Sequence, residues 1–148
     1  MKSLLTTILP FGLTIALAAP PSFAGPHYQV GPECEDNGNG TVTCTGDIAG
    51  LGNENIDVLV TASGTTTCQN RGNKPPEGQE PPGLDTVSEG SETNLRVKNG
   101  RATFSVTTDA ENPCPDRMIA ITTFDTVTVT VFQPAGTTNV ILEDTFSL

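Results

Sequence analysis

The chain has no tryptophan, one histidine (His27) and one tyrosine among its 148 residues. Chemistries that need several imidazoles are therefore excluded. A Ser-His-Asp or Cys-His arrangement would have to use His27, which sits near the expected mature N-terminus, a region often poorly ordered. His27 reads as a loose terminal residue. Carboxylates for a two-carboxylate glycosidase are plentiful, but aromatic platforms for a sugar are scarce. Positive charge is scarce too: seven Lys and Arg face seventeen Asp and Glu, giving a net charge of −10. A nucleic acid or anionic membrane needs a basic footprint, so neither is an expected partner. Beyond residue 24 no run approaches the ~20 apolar residues of a membrane span, and no stretch holds a helical period.

The N-terminus supplies what a leader needs. Met1-Lys2-Ser3 is a short positive start, and Leu4 to Ala19 is apolar except for Thr6, Thr7, Pro10, Gly12 and Thr14. Ser22-Phe23-Ala24 then ends on a small residue with another three positions back, which suits signal peptidase. Ala18 and Ala19 are earlier candidate cuts. The expectation is a signal peptide over 1–24 and one secreted domain over 25–148, acting extracellularly. Neither a lipobox cysteine nor a hydrophobic tail suggests an anchor, so no membrane insertion is expected after cleavage. Loss of Lys2 with the leader leaves six basic residues against the seventeen acids.

Export makes disulfides the default for Cys34, Cys44, Cys68 and Cys114. Four cysteines allow three pairings. Cys34 and Cys44 flank Asn37-Gly38-Asn39-Gly40, a tight-turn signal, and sit symmetrically about Asn39. They would face each other across a hairpin, with Asp36 opposite Val42. Cys68 would then pair with Cys114. Chain entropy makes the short loop worth about 2.5–3 kcal/mol and the long one about 4. A metal site over these cysteines lacks paired C-x-x-C spacing and a second histidine.

The rest alternates between strand and turn. Thr41–Thr45, Ile56–Ala62, Thr103–Thr107 and Val127–Val131 each show a period of two. Met118-Ile119-Ala120-Ile121 is continuously apolar, as a strand buried on both faces would be. Val140-Ile141-Leu142 closes the chain, and Leu95-Arg96-Val97 is a weaker candidate. About seven to eight short strands rich in threonine and valine imply an all-β fold. The economical arrangement is an antiparallel, immunoglobulin-like β-sandwich stabilised by disulfides, with a small β-barrel as the alternative.

Gln69 to Glu92 breaks the pattern. Its centre is Asn73-Lys74-Pro75-Pro76-Glu77-Gly78-Gln79-Glu80-Pro81-Pro82-Gly83, and paired prolines exclude it from a central strand. The expectation is a Pro/Gly-rich loop over 69–92, either a recognition loop or a connection between strands.

Two motifs occur together. Thr43-Cys44-Thr45-Gly46 leads into Gly50-Leu51-Gly52-Asn53, and Cys68-Gln69-Asn70-Arg71-Gly72-Asn73-Lys74-Pro75-Pro76-Glu77-Gly78-Gln79 follows a strand. This resembles a set of small secreted, uncharacterised microbial proteins, fungal and bacterial, with a G-L-G-N turn and a C-x-N-x-G-N-x-P-P-x-G-Q loop. The resemblance covers about Cys44 to Gln79. It implies a signal peptide and a β-rich body, and brings no activity or catalytic residues. Read physically, Gly50 and Gly52 permit unusual backbone angles, Asn53 can bond its own backbone, and Asn70 can tether the start of the loop.

Asp109, Glu111 and Asn112 with Asp116 form the densest group of oxygen ligands. Calcium is conceivable there, but the spacing matches no calcium motif, and a solvated acidic loop is the plainer reading. No cofactor is expected. Asp85, Glu89 and Glu92 read as a second solvated run. Asn39-Gly40-Thr41 is an N-glycosylation sequon at the tip of the proposed hairpin, meaningful in a eukaryotic host.

These observations point to a non-enzymatic binding or surface-associated module whose partner is an extracellular protein or glycan, met through the Gln69–Glu92 loop. One alternative is a small secreted enzyme or effector using acidic residues. Another is a structural subunit that self-assembles by edge pairing through Thr126–Phe132.

Overall fold

The computed structural model describes residues 24–70, 72 and 83–148. Except for Ala24, the expected leader lies outside the described residues, as do positions 71 and 73–82 of the expected loop.

Seven strands follow in order: β1 (His27–Asp36), β2 (Val42–Ala49), β3 (Ile56–Asn70), β4 (Leu84–Leu95), β5 (Ala102–Thr107), β6 (Met118–Phe132) and β7 (Val140–Ser147). They form two antiparallel sheets, β1-β2-β5 and β4-β3-β6-β7. The result is an open sandwich; the barrel alternative fails because no ladder joins one sheet to the other.

The period of two explains the core. Val42, Cys44 and Ile48 of β2 and Ala102, Phe104 and Val106 of β5 face Ile56, Val58, Val60 and Ala62 of β3 and Val127, Val129 and Val131 of β6. Each buried aliphatic side chain is worth about 1.5–3 kcal/mol. Tyr28 packs its ring 6.5 Å from that of Phe104. Gly90 lets the sheets meet at one margin, because a Cβ there would lie 2.3 Å from the Thr107 carbonyl oxygen.

The β1–β2 hairpin has Cys34 opposite Cys44 and Asp36 opposite Val42, and the two cysteines are joined. The second disulfide, Cys68–Cys114, ties β3 to the β5–β6 connection. That connection also receives a hydrogen bond from the Ser88 hydroxyl at the Asp109 carbonyl, and the Asp109 N–H donates to Glu89 O at 2.9 Å.

Several expectations are corrected. β3 runs on to Asn70 and β4 begins at Leu84, so Gln69, Asn70 and 84–92 are strand rather than loop. Thr86 and Ser88 are buried on the inner face, where hydrogen bonds of their hydroxyls, Thr86 with Thr66 and Ser88 to the Asp109 carbonyl, let polar residues serve in place of aliphatics. Leu95 ends β4, and Arg96 and Val97 lie outside any strand. Met118–Ile121 is not buried on both faces: Ile119 is 47% exposed and Ile121 44%, because among the described residues no layer covers the outer side of the sheet. Thr126–Phe132 is interior, paired with β3 on one side and β7 on the other, and offers no free edge. Gly50 has φ +74 and no space for a Cβ, whereas Gly52 has an ordinary φ and open surroundings.

Candidate functional site

The β4–β5 crossover builds the most distinctive surface. Lys98 and Arg101 face each other in an isolated antiparallel bridge, with N–H···O bonds of 2.8 and 3.1 Å, around Asn99-Gly100. Both central residues have positive φ, 54° and 72°, as a two-residue hairpin turn requires. The Leu51 N–H donates to Gly100 O at 3.0 Å, and the Leu51 side chain is in the core. The turn is thereby fixed to the sandwich.

This turn places Arg96, Lys98 and Arg101 around a depression of about 360 Å³, completed by Asp47, Ala102 and Thr103. Half of the six basic residues outside the expected leader gather here, in a chain dominated by acid. Asp47 is held by pairing on both sides, opposite Val30 of β1 and Thr103 of β5. Its Oδ1 is shielded from solvent and has no hydrogen-bond partner among the described residues. A buried acceptor left unpaired costs about 1–3 kcal/mol. Asp47 and Thr103 also line a neighbouring depression of about 270 Å³ with Val30, Glu33, Thr45 and Gly46. The two together make a groove over the outer face of the three-stranded sheet, cationic at the crossover end.

The residues singled out from sequence lie elsewhere and apart. His27 is not loose: it is the first residue of β1, opposite Ala49, with Nδ1 2.8 Å from Gly25 O. Asn39 is exposed at the hairpin tip, and its Oδ1 accepts from the Thr41 N–H at 3.2 Å and the Thr41 hydroxyl at 2.6 Å. Both bonds leave Nδ2, the glycan-bearing atom of a sequon, uninvolved. Asp109, Glu111, Asn112 and Asp116 are all exposed, and Asn112 Oδ1 accepts the Cys114 N–H. Among the described residues no three His, Cys, Asp or Glu are grouped as metal ligands. Asp85 and Glu89 are exposed, but Glu92 is half-buried and accepts the Ser105 N–H at 3.2 Å.

Sequence reasoning missed the crossover cluster. Its signal was present as three cations within six residues and an Asn-Gly dipeptide between two of them. It also missed Tyr28, whose hydroxyl is buried without a partner among the described residues. Burial first, and the Asp144 carboxylate second, push this phenol above its ordinary range. No helix among the described residues is long and apolar enough to cross a membrane.

Protein-family models, curated proteins and solved structures were all compared with the chain, and none matches.

Proposed function

We propose that the protein is a secreted, non-enzymatic binding module that takes an anionic, hydroxyl-bearing ligand such as an acidic saccharide. The observation that carries this reading is the gathering of Arg96, Lys98 and Arg101 around one depression that Asp47 also lines. A carboxylate or sulfate on the ligand would meet the three cations through charge-assisted hydrogen bonds, and a ligand hydroxyl would donate to the part of the Asp47 carboxylate that lines the depression. Exposed Val30 offers an apolar contact for a sugar's C–H face in the adjoining depression.

Two disulfides fit an oxidising compartment. Secretion itself rests on the leader pattern and on the resemblance to secreted microbial proteins. Immunoglobulin-like architecture is supported by strand order. With strands lettered A to G, the sheets are A-B-E and D-C-F-G, an antibody constant-type order with the fourth strand carried by the opposite sheet.

The test is calorimetric titration of the protein over residues 25–148 with acidic oligosaccharides and their neutral counterparts. The acidic ones should bind, with affinity falling as salt rises. Arg101→Gln should weaken binding about tenfold or more, and Asp47→Ala by a similar factor, from loss of charge-assisted bonds worth about 1.5–3 kcal/mol. Deletion of Asn73–Gly83 should leave this binding intact. Equal binding of neutral sugars, or loss only on loop deletion, would remove the crossover from the recognition role.

A further inference from the structure

Strand β7 does not run the full length of its neighbour. It pairs with β6 from Phe132 back to Thr126 and no further, and the Leu148 N–H closes its end on Asp125 O at 3.2 Å. At the other limit the Met118 N–H is taken by Pro115 O at 3.1 Å. Between these points Ile119–Phe124 is paired only with β3 among the described residues. It is an open edge on an otherwise interior strand, in the half of β6 that does not contain Thr126–Phe132.

This edge lacks two of the usual protections: it carries no charge and no proline, and the one bulge, at Asp125, lies just past its end. Ile119 and Ile121 stand exposed on its outer face. An uncharged, unpaired edge of this kind is a template for another strand. We propose that a second copy of the chain fills it, the two Ile119–Phe124 edges pairing antiparallel about a two-fold axis at Ile121.

Charge sets both the partner and the register. Arg117 and Asp125 are exposed and stand four residues before and after Ile121. With the axis at Ile121, Ile119 meets Thr123 and the two Ile121 side chains meet each other. Leu148 already flanks the Asp125 backbone, so Arg117 of each copy, just outside β6, meets Asp125 of the other through its side chain alone, beyond the paired segment. Such an interface is self-complementary, as a two-fold contact must be. A slip of one residue separates both charge pairs and turns the isoleucines out of register. The two four-stranded sheets would become one continuous sheet with the two β6 strands at its centre, each β7 keeping its place beside the other half of its own β6. The crossover groove is on the other sheet, so ligand binding and pairing are separable.

Sedimentation velocity across a concentration series, at ionic strength near 0.15 M where repulsion between two acidic chains is screened over about 8 Å, reads the result. The wild type should show a reversible monomer–dimer equilibrium. Ile121→Lys places like charges at the axis and should abolish the dimer, with circular dichroism confirming that this exposed position leaves the fold unchanged. Arg117→Asp and Asp125→Arg should each weaken association about tenfold, and the double charge reversal should restore it. A monomer at every concentration overturns the proposal. So does a dimer that survives Ile121→Lys, or a double reversal no tighter than either single variant.

Discussion

The two halves of strand β3 have the same backbone and different interiors. From Ile56 to Ala62 its inward residues are aliphatic and meet the other sheet. From Gly64 to Cys68 the inward residues are Gly64, Thr66 and Cys68. Here Thr66 Oγ1 lies 2.7 Å from Thr86 Oγ1 and 2.8 Å from Thr122 Oγ1, a hydroxyl trio across β4, β3 and β6. What covers each half differs. The first half has a whole sheet to pack on, so hydrophobic burial holds it. The second has a connecting segment, held by Cys68–Cys114 and by Ser88 and Glu89 bonding Asp109. Where a loop replaces a sheet, covalent and hydrogen bonding replace area.

Four substitutions test that division. Phe104→Ala empties the aliphatic half and should cost about 3–5 kcal/mol in urea unfolding. Cys68→Ser with Cys114→Ser should cost about 2–4 kcal/mol. Hydrogen exchange sharpens this second case: amides of Thr65–Cys68 and Ala120–Thr123 should lose protection while Val58–Val60 and Val127–Val131 keep theirs. Equal loss in both halves would show that the disulfide acts globally. Thr66→Val keeps the shape but leaves the Thr122 hydroxyl without this partner, while Thr86 retains the Leu84 carbonyl at 3.2 Å. The cost should be about 1–2 kcal/mol, confined to the same distal amides.

Tyr28→Phe should have the smallest effect and the opposite sign. It removes a buried hydroxyl that has no hydrogen-bond partner among the described residues, so thermal unfolding should show stability unchanged or raised by about 1 kcal/mol. It should also change the alkaline limb. The folded phenol is held above its usual range by burial and then Asp144, whereas the unfolded one ionises at about pH 10. The contribution of Tyr28 to the wild type's stability is therefore fully present below about pH 10 and is lost as pH rises beyond it. The Phe variant should lack that part of the decline.

The aliphatic half was legible because alternation is visible only where the two faces differ in polarity. Ile56-Asp57-Val58 and Val127-Thr128-Val129 announce their inward sides. Asn37–Gly40 likewise fixed the hairpin register that sets Cys34 against Cys44. The distal half was opaque because threonine lies on both faces, as in Thr65-Thr66-Thr67, and β4 hides its core positions as Thr86 and Ser88. Ile119 and Ile121 misled for the opposite reason: apolar residues that signal burial stand on a face that no other described element covers. At the candidate groove the sequence held the cations and the turn dipeptide, but nothing in it revealed that Asp47, some fifty residues earlier, is drawn beside them by the β2–β5 ladder.

The Cys34–Cys44 bridge also has a mechanical consequence. Pulled by its two ends, the molecule loads β1 at one side and β7 at the other. The bridge binds β1 covalently to β2, so that hairpin cannot be unzipped past it. No such bond holds β7, which rests on β6 through its ladder and side-chain contacts such as Thr128 with Thr145. Tension can therefore peel His27–Glu33 from β2 but is arrested at Cys34, whereas nothing covalent arrests the stripping of β7: the N-terminal end has a fixed stop and the C-terminal end has none.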